Sequence, residues 1–287
     1  MSVPVPDSPG PGPAAAGPVA LAAALDDGPP GAPVLVLGNS LGTSSALWEP
    51  QLAAFRTRFR VLRYEHRGHG VPAAAGGIGV SPAPPGAAPG AGHVLDDLGA
   101  DVLRLLDSLG VRRACYCGVS LGGMIGMWLA AHAPDRIAAL GLCCTSAFLP
   151  PAQLWTDRAA AARRGDLAAI ADQVVGRWFT PAYAAREPGV PAAFKAALTA
   201  VDPEGYAGCC EAIAAMDLRP ALGSVIAPTL VLAGAEDPAA PPWHGAVIAA
   251  GIRGSALRVI RGAAHLANVS APGEVTAALL AHLTAVS

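Results

Sequence analysis

In the run Cys-Tyr-Cys-Gly-Val-Ser-Leu-Gly-Gly (115–123), one hydroxyl, Ser120, lies between Gly118 and Gly122, where an apolar stretch gives way to a helical one. A sharp strand-to-helix turn can hold such a serine with its Oγ exposed above the strand. Glycines two residues to either side remove Cβ atoms that would clash in that turn. The pentapeptide alone is weak in a chain with 34 glycines in 287 residues; the strand before it and the helix after it give it weight. The chemistry it suits is attack on an acyl carbon, which needs a base to take the serine proton and an acid to orient that base. Asp237 ends the apolar run "APTLVLAGAED" (227–237), with Glu236 as a competing carboxylate, and His265 ends "SALRVIRGAAH" (255–265). Serine, acid and histidine thus follow one another along the chain, each after its own strand. The other histidines fit less well: His66 and His69 precede the serine, and His93 follows a low-complexity segment. His132 and His282 lie in helical stretches, and His244 opens one. Two backbone N–H groups must receive the developing oxyanion. Leu121, just after the serine, supplies one, and Leu41 in the glycine-bounded loop "GNSLG" (38–42) is expected to supply the other.

The elements that would position these residues alternate. "PVLVLGNSLG" (33–42) is a short continuous apolar run that reads as a strand buried on both faces and ending in a glycine-bounded loop. "FRVLRYEHRGHG" (59–70) reads as a strand running into a loop, and 113–120, 137–146, 227–237 and 255–265 as further strands, with helical stretches between them. That pattern is α/β: a mostly parallel sheet with helices on both faces, binding ligand at the carboxyl ends of its strands. "VALAAALDD" (19–27) reads as an edge strand. Residues 149–218 hold several helical segments and no convincing strand, so they read as an inserted helical cap. The core then spans 19–148 and 219–287, after a Pro/Gly/Ala-rich tail at 1–18 expected to be disordered. Residues 71–92 lack any period and read as a mobile surface loop. Asp96, Asp97 and Asp101 read as the solvated face of a helix over 95–110.

Composition narrows the function. The formal net charge is −2 with no cluster of Lys or Arg, which argues against nucleic acid or an acidic membrane surface as partner. No apolar run reaches membrane-spanning length, and the first residues lack a basic, apolar leader, so a cytoplasmic location is expected. Six cysteines fall in close pairs (Cys115/Cys117, Cys143/Cys144, Cys209/Cys210) within apolar surroundings, and buried thiols are expected rather than disulfides or metal ligands.

"GNSLGTSSALWEPQ", "VLRYEHRGHG", "CGVSLGGMIGMWLAAHAPDR", "RWFTPAY", "DPEGYAGCCEAIAAMDLR" and "GAAHLANVSAP" together resemble the 3-oxoadipate enol-lactonases of the α/β-hydrolase superfamily. The resemblance runs from about residue 19 to the end, and the segments in the cap are its most specific part. It implies the α/β-hydrolase fold with a helical cap and cofactor-free hydrolysis of a small lactone in the β-ketoadipate route of aromatic catabolism. Ser120 would be the nucleophile, Asp237 the acid and His265 the base. It also implies a subsite for the substrate carboxylate. Arg158, Arg163, Arg164 and Arg177 are candidates, Arg177 foremost because it sits beside Trp178 in "RWFTP", with Trp155 and Trp178 as possible walls. Two departures stand out: the long loop at 71–92, and Glu65 and His66 where an Asp and a small polar residue are more usual. The segment holding them is expected to shape a loop. Rival readings are a carboxylesterase, another lactonase or a C–C hydrolase on the same scaffold, and a non-catalytic ligand sensor.

Overall fold

A computed structural model describes residues 21–25, 28–70 and 93–285. The expected tail and the expected loop at 71–92 lie outside these residues. Seven strands form one sheet in the order β1-β3-β2-β4-β5-β6-β7. They are β1 (Ala23–Leu25), β2 (Val34–Gly38), β3 (Arg60–Tyr64), β4 (Ala114–Val119), β5 (Ile137–Cys143), β6 (Thr229–Gly234) and β7 (Ala256–Ile260). Only β1 runs antiparallel, against β3; every other neighbour pair is parallel. Every residue of β2, β4 and β6 is buried, as their unbroken apolar sequences require, whereas the edge strand β7 exposes all but Ile260.

The strand order reverses between β2 and β4. The chain goes from β2 outward to β3 and then returns to β2's other side as β4, so the loops leaving β2 and β4 flank one crevice. Register brings them level: Gly38 at the end of β2 pairs with Gly118 near the end of β4. Helices α1 (Glu49–Phe55), α2 (Leu95–Ser108) and α3 (Leu121–His132) follow in the first half of the chain. Helix α3 is apolar on nearly every side because it is buried on nearly every side.

Between β5 and β6 the chain inserts α4 (Ala152–Arg163), α5 (Leu167–Val175), α6 (Pro181–Arg186), α7 (Gly189–Thr199) and α8 (Pro203–Ala215). Side-chain caps start two of them: Thr180 Oγ1 accepts from Tyr183 N, and Asp202 Oδ1 accepts from Gly205 N at 2.8 Å. Arg163 on α4 pairs with Glu204 and Glu211 on α8, tying the two helices together. Helices α9 (Pro242–Gly251), α10 (Ala267–Ser270) and α11 (Pro272–Thr284) complete the fold. No helix among the described residues is long and apolar enough to cross a membrane.

The reading of Asp101 as a solvated carboxylate is corrected. It is 1% exposed and takes a two-pronged contact from Arg67 Nε and Nη2, with Arg104 on the same carboxylate. Spacing puts it on the polar side of α2, but the Arg67 loop covers that side. All six cysteines are buried and unpaired, and burial pushes their thiols up from the ordinary value.

Candidate active site

Ser120 closes the turn from β4 into α3 with φ +53° and ψ −114°, a left-handed conformation that a serine adopts only under constraint. The constraint is visible on every side. Its N–H donates to Cys143 O at 2.9 Å, and its carbonyl accepts from Met124 N at 3.0 Å and from Thr145 Oγ1 at 2.7 Å. A Cβ on Gly118 would stand 2.2 Å from the Gly122 carbonyl atoms, and one on Gly122 would stand 2.4 Å from those of Gly38. Both positions must therefore be glycine for β2, β4 and α3 to meet this closely. Below the turn, Tyr116 Oη donates to Gly122 O at 2.9 Å and lies 2.8 Å from Tyr64 Oη.

Asp237 and His265 arrive from the loops after β6 and β7. Gly234 is the hinge point between them, since a Cβ there would lie 2.2 Å from Ala264 O. Glu236 N donates to Ala263 O at 2.9 Å, which fixes the two loops side by side. His265 Nδ1–H donates to Asp237 Oδ2 at 2.8 Å, while Asp237 Oδ1 accepts from Ala239 N at 2.8 Å and Ala240 N at 3.0 Å. Burial alone would push the Asp237 carboxyl up, but His265 and the two amides outweigh it and hold it below the ordinary carboxylate value. The Glu236 side chain is exposed and takes no part in the Asp237–His265 pair. The bond at Nδ1 leaves His265 Nε2 as the nitrogen available to the cavity that His265 shares with Ser120. No hydrogen bond joins Ser120 Oγ to His265, although both line this cavity.

That cavity has a volume of about 330 Å³. Leu41 lines it, and Leu121 sits fully buried at the first position of α3, where a helix leaves its N–H unused. Neither the Leu41 nor the Leu121 N–H has an acceptor among the described residues. Trp155, Arg177 and Trp178 line the same cavity. The cap also closes onto the histidine loop: Leu266 N donates to Trp178 O at 3.0 Å.

A model of the alpha/beta hydrolase fold matches residues 33–272. The chain belongs to the α/β-hydrolase family. It is 38% identical over 240 residues to 3-oxoadipate enol-lactonase 2 of Acinetobacter baylyi, covering 84% of each chain. It is 31% identical over 246 residues to 3-oxoadipate enol-lactonase 1 of the same organism, covering 86% of each. Among solved structures, the enol-lactonase from Burkholderia xenovorans LB400 superimposes with a TM-score of 0.84 at 40% identity, covering 95% of this chain and 100% of that one.

Within this hydrolase scaffold the structure brings Arg158, one of the four candidate arginines, to the cavity, and adds Tyr206 and His244, which sequence reasoning missed. Arg158 lines the cavity with its guanidinium carbon 4.9 Å from the centre of the Trp155 ring. Tyr206 also lines it, fully buried, with a hydroxyl that has no hydrogen-bond partner among the described residues. His244, set aside as the opening of a helix, is 6% exposed and lines the cavity with its Nδ1 2.6 Å from Ser146 Oγ. Burial pushes its imidazole down, against the pull of the Asp237 charge. The segment "YEHRGHG" does shape a loop. The Glu65 carboxylate accepts from Ser45 N at 3.0 Å, and His66 Nε2–H donates at 2.7 Å to Asn39 O, which also accepts from Gly122 N. Glu65 and His66 thus hold the Leu41 loop from one side, and the Gly122–Asn39 backbone bond ties that loop to the serine turn.

Proposed function

We propose that the chain hydrolyses 3-oxoadipate enol-lactone to 3-oxoadipate, a step of the β-ketoadipate pathway, through an acyl-serine intermediate. Ser120 Oγ attacks the lactone carbonyl carbon as His265 Nε2 takes its proton. Asp237 holds the imidazole in the Nδ1–H tautomer and stabilises the imidazolium. The Leu41 and Leu121 N–H groups receive the oxyanion. Collapse breaks the ring C–O bond, the enolate oxygen takes the proton back from His265, and the enol becomes a ketone. Water, deprotonated by His265, then adds to the acyl-serine and releases the second carboxylate.

The observation that carries this reading is one cavity shared by a serine on a strained turn, a histidine oriented by a buried carboxylate, and two arginines with no carboxylate partner among the described residues, Arg158 and Arg177. An uncompensated guanidinium pair suits an anionic substrate, and a guanidinium pairs readily with a carboxylate. Arg158 is the better placed of the two. The buried Tyr206 hydroxyl lies beside it, has no carbonyl or carboxylate acceptor among the described residues, and offers the same carboxylate a second donor. The test is loss of the enol-ester ultraviolet absorbance of the lactone. The purified protein should turn it over with kcat/KM well above that for a neutral aryl ester, and Ser120→Ala should abolish turnover of both. Arg158→Gln should raise KM for the lactone and leave the neutral ester unaffected. A lactone rate no better than the aryl-ester rate would refute the substrate assignment.

A further inference from the structure

The second oxyanion donor sits in a loop, and a loop N–H stabilises a transition state only if it is aimed beforehand. We propose that Thr43 and His69 are positioning residues that lock the Leu41 N–H toward the cavity; the proposal rests on the hydrolytic reading above.

Residues 40–43 form a turn closed by Thr43 N donating to Ser40 O at 3.1 Å, with Gly42 third at φ +79°, the type II pattern. Thr43 Oγ1 donates to the same carbonyl oxygen at 2.8 Å. In a trans peptide the C=O and the following N–H point in opposite directions. Two donors pulling Ser40 O toward Thr43 therefore turn the Leu41 N–H, in the same plane, away from Thr43. Ser40 and Leu41 both line the cavity, and that N–H has no acceptor among the described residues.

The next peptide plane is held from the other side. Gly42 N donates to His69 Nε2 at 2.9 Å, and His69 Nδ1–H donates to Arg67 O at 2.9 Å. His69 must be neutral to accept at Nε2 while donating at Nδ1. It is 4% exposed and stacked on Tyr206 of α8, so the ring cannot turn aside. Both planes flanking the Leu41 Cα are thus pinned. The Thr43 hydroxyl adds nothing that the turn needs to close, since the Thr43 N–H already closes it. What it adds is a second restraint on the one peptide plane that carries the oxyanion donor. Thr43 is 1% exposed, and among the described residues its hydroxyl proton has only this acceptor.

The experiment compares Thr43→Val, Thr43→Ser and His69→Gln with the parent protein on 4-nitrophenyl acetate. It reads kcat, KM, unfolding midpoint and the inhibition constant of phenylboronic acid, whose tetrahedral serine adduct presents an oxygen to the oxyanion site. Thr43→Val should lower kcat by about 10- to 100-fold with KM within about twofold, and weaken boronate inhibition by a comparable factor. Thr43→Ser, which restores the hydroxyl, should recover kcat to within about threefold, and His69→Gln, which can still accept from Gly42 N, should fall between. A purely structural role would lower the midpoint and spare the ratio of boronate to substrate binding. The proposal is overturned if Thr43→Val keeps kcat within about twofold, if KM alone changes, or if serine fails to rescue. Should Thr43→Val not fold, His69→Gln and His69→Leu give the same contrast at the second plane. Ser120→Ala separates the two levels. Residual turnover there refutes the hydrolytic reading, whereas an inactive Ser120→Ala beside an unimpaired Thr43→Val refutes only the clamp.

Discussion

Replacing Asp237 by Asn isolates the role of the buried carboxylate, because the structure dictates how the amide must sit. One carboxylate oxygen accepts from Ala239 N and Ala240 N, and the other accepts from His265 Nδ1–H. An asparagine has one acceptor oxygen and one NH2. If the NH2 faced the two backbone amides, donors would oppose donors and two buried N–H groups would lose their acceptor, at about 1–3 kcal/mol each. The oxygen therefore stays with the amides and the NH2 turns to His265. An NH2 there needs a lone pair on Nδ1, which forces the proton onto Nε2, the nitrogen that must accept from Ser120. The expected loss in kcat is about 10⁴-fold, as for the equivalent change in serine proteases, or about 5 kcal/mol of barrier. Glu236→Gln, at an exposed neighbour outside the hydrogen-bonded pair, is the matched control and should change kcat by less than about twofold. Stopped-flow turnover of the lactone and an aryl ester measures both variants, and an unfolding curve for each confirms the fold. An Asp237→Asn protein within about tenfold of the parent would refute the tautomer argument.

Gly122→Ala should abolish activity and lower the unfolding midpoint sharply, because its Cβ would meet the Gly38 backbone at 2.4 Å with no flexible side chain to yield; calorimetry and turnover check both. Asp101→Asn should destabilise the fold by about 3–5 kcal/mol, measured by urea unfolding, since it removes the buried carboxylate charge that Arg67 Nε and Nη2 both bond. Burial pushes the His69 imidazole down to about 4, against the hydrogen bond it makes to Arg67 O, so the folded chain resists a proton that the unfolded chain accepts near pH 6.5. Stability from this group is complete above about pH 6.5 and is lost as the pH falls toward about 4, with about 2 kcal/mol gone by about pH 5. Urea unfolding at pH 7, 6 and 5 should show at least that slope, and His69→Gln should reduce it while buried His66, also pushed down, keeps its own share.

The α/β alternation, the serine turn and the order of the three expected residues were legible because each rests on local chemistry. Buried parallel strands need unbroken apolar runs, a tight strand-to-helix turn needs glycine on both flanks, and strand ends fall at one edge once the strands run parallel. The same locality kept the pattern silent about Asp101, whose helical spacing says solvent while the Arg67 loop says otherwise. It was equally silent about His244, which reaches the cavity from α9, and it did not separate the four candidate arginines, of which Arg158 on α4 and Arg177 line the cavity. Thr43 and His69 look like loop filler in one dimension. Only folding sets the Ser40 carbonyl under one of them and the Gly42 N–H against the other. A sequence can thus display the groups that carry a reaction, because backbone geometry restricts which types may occupy those turns. Which polar side chains aim and surround those groups depends on contacts between segments far apart along the chain, and only the packed tertiary structure decides these.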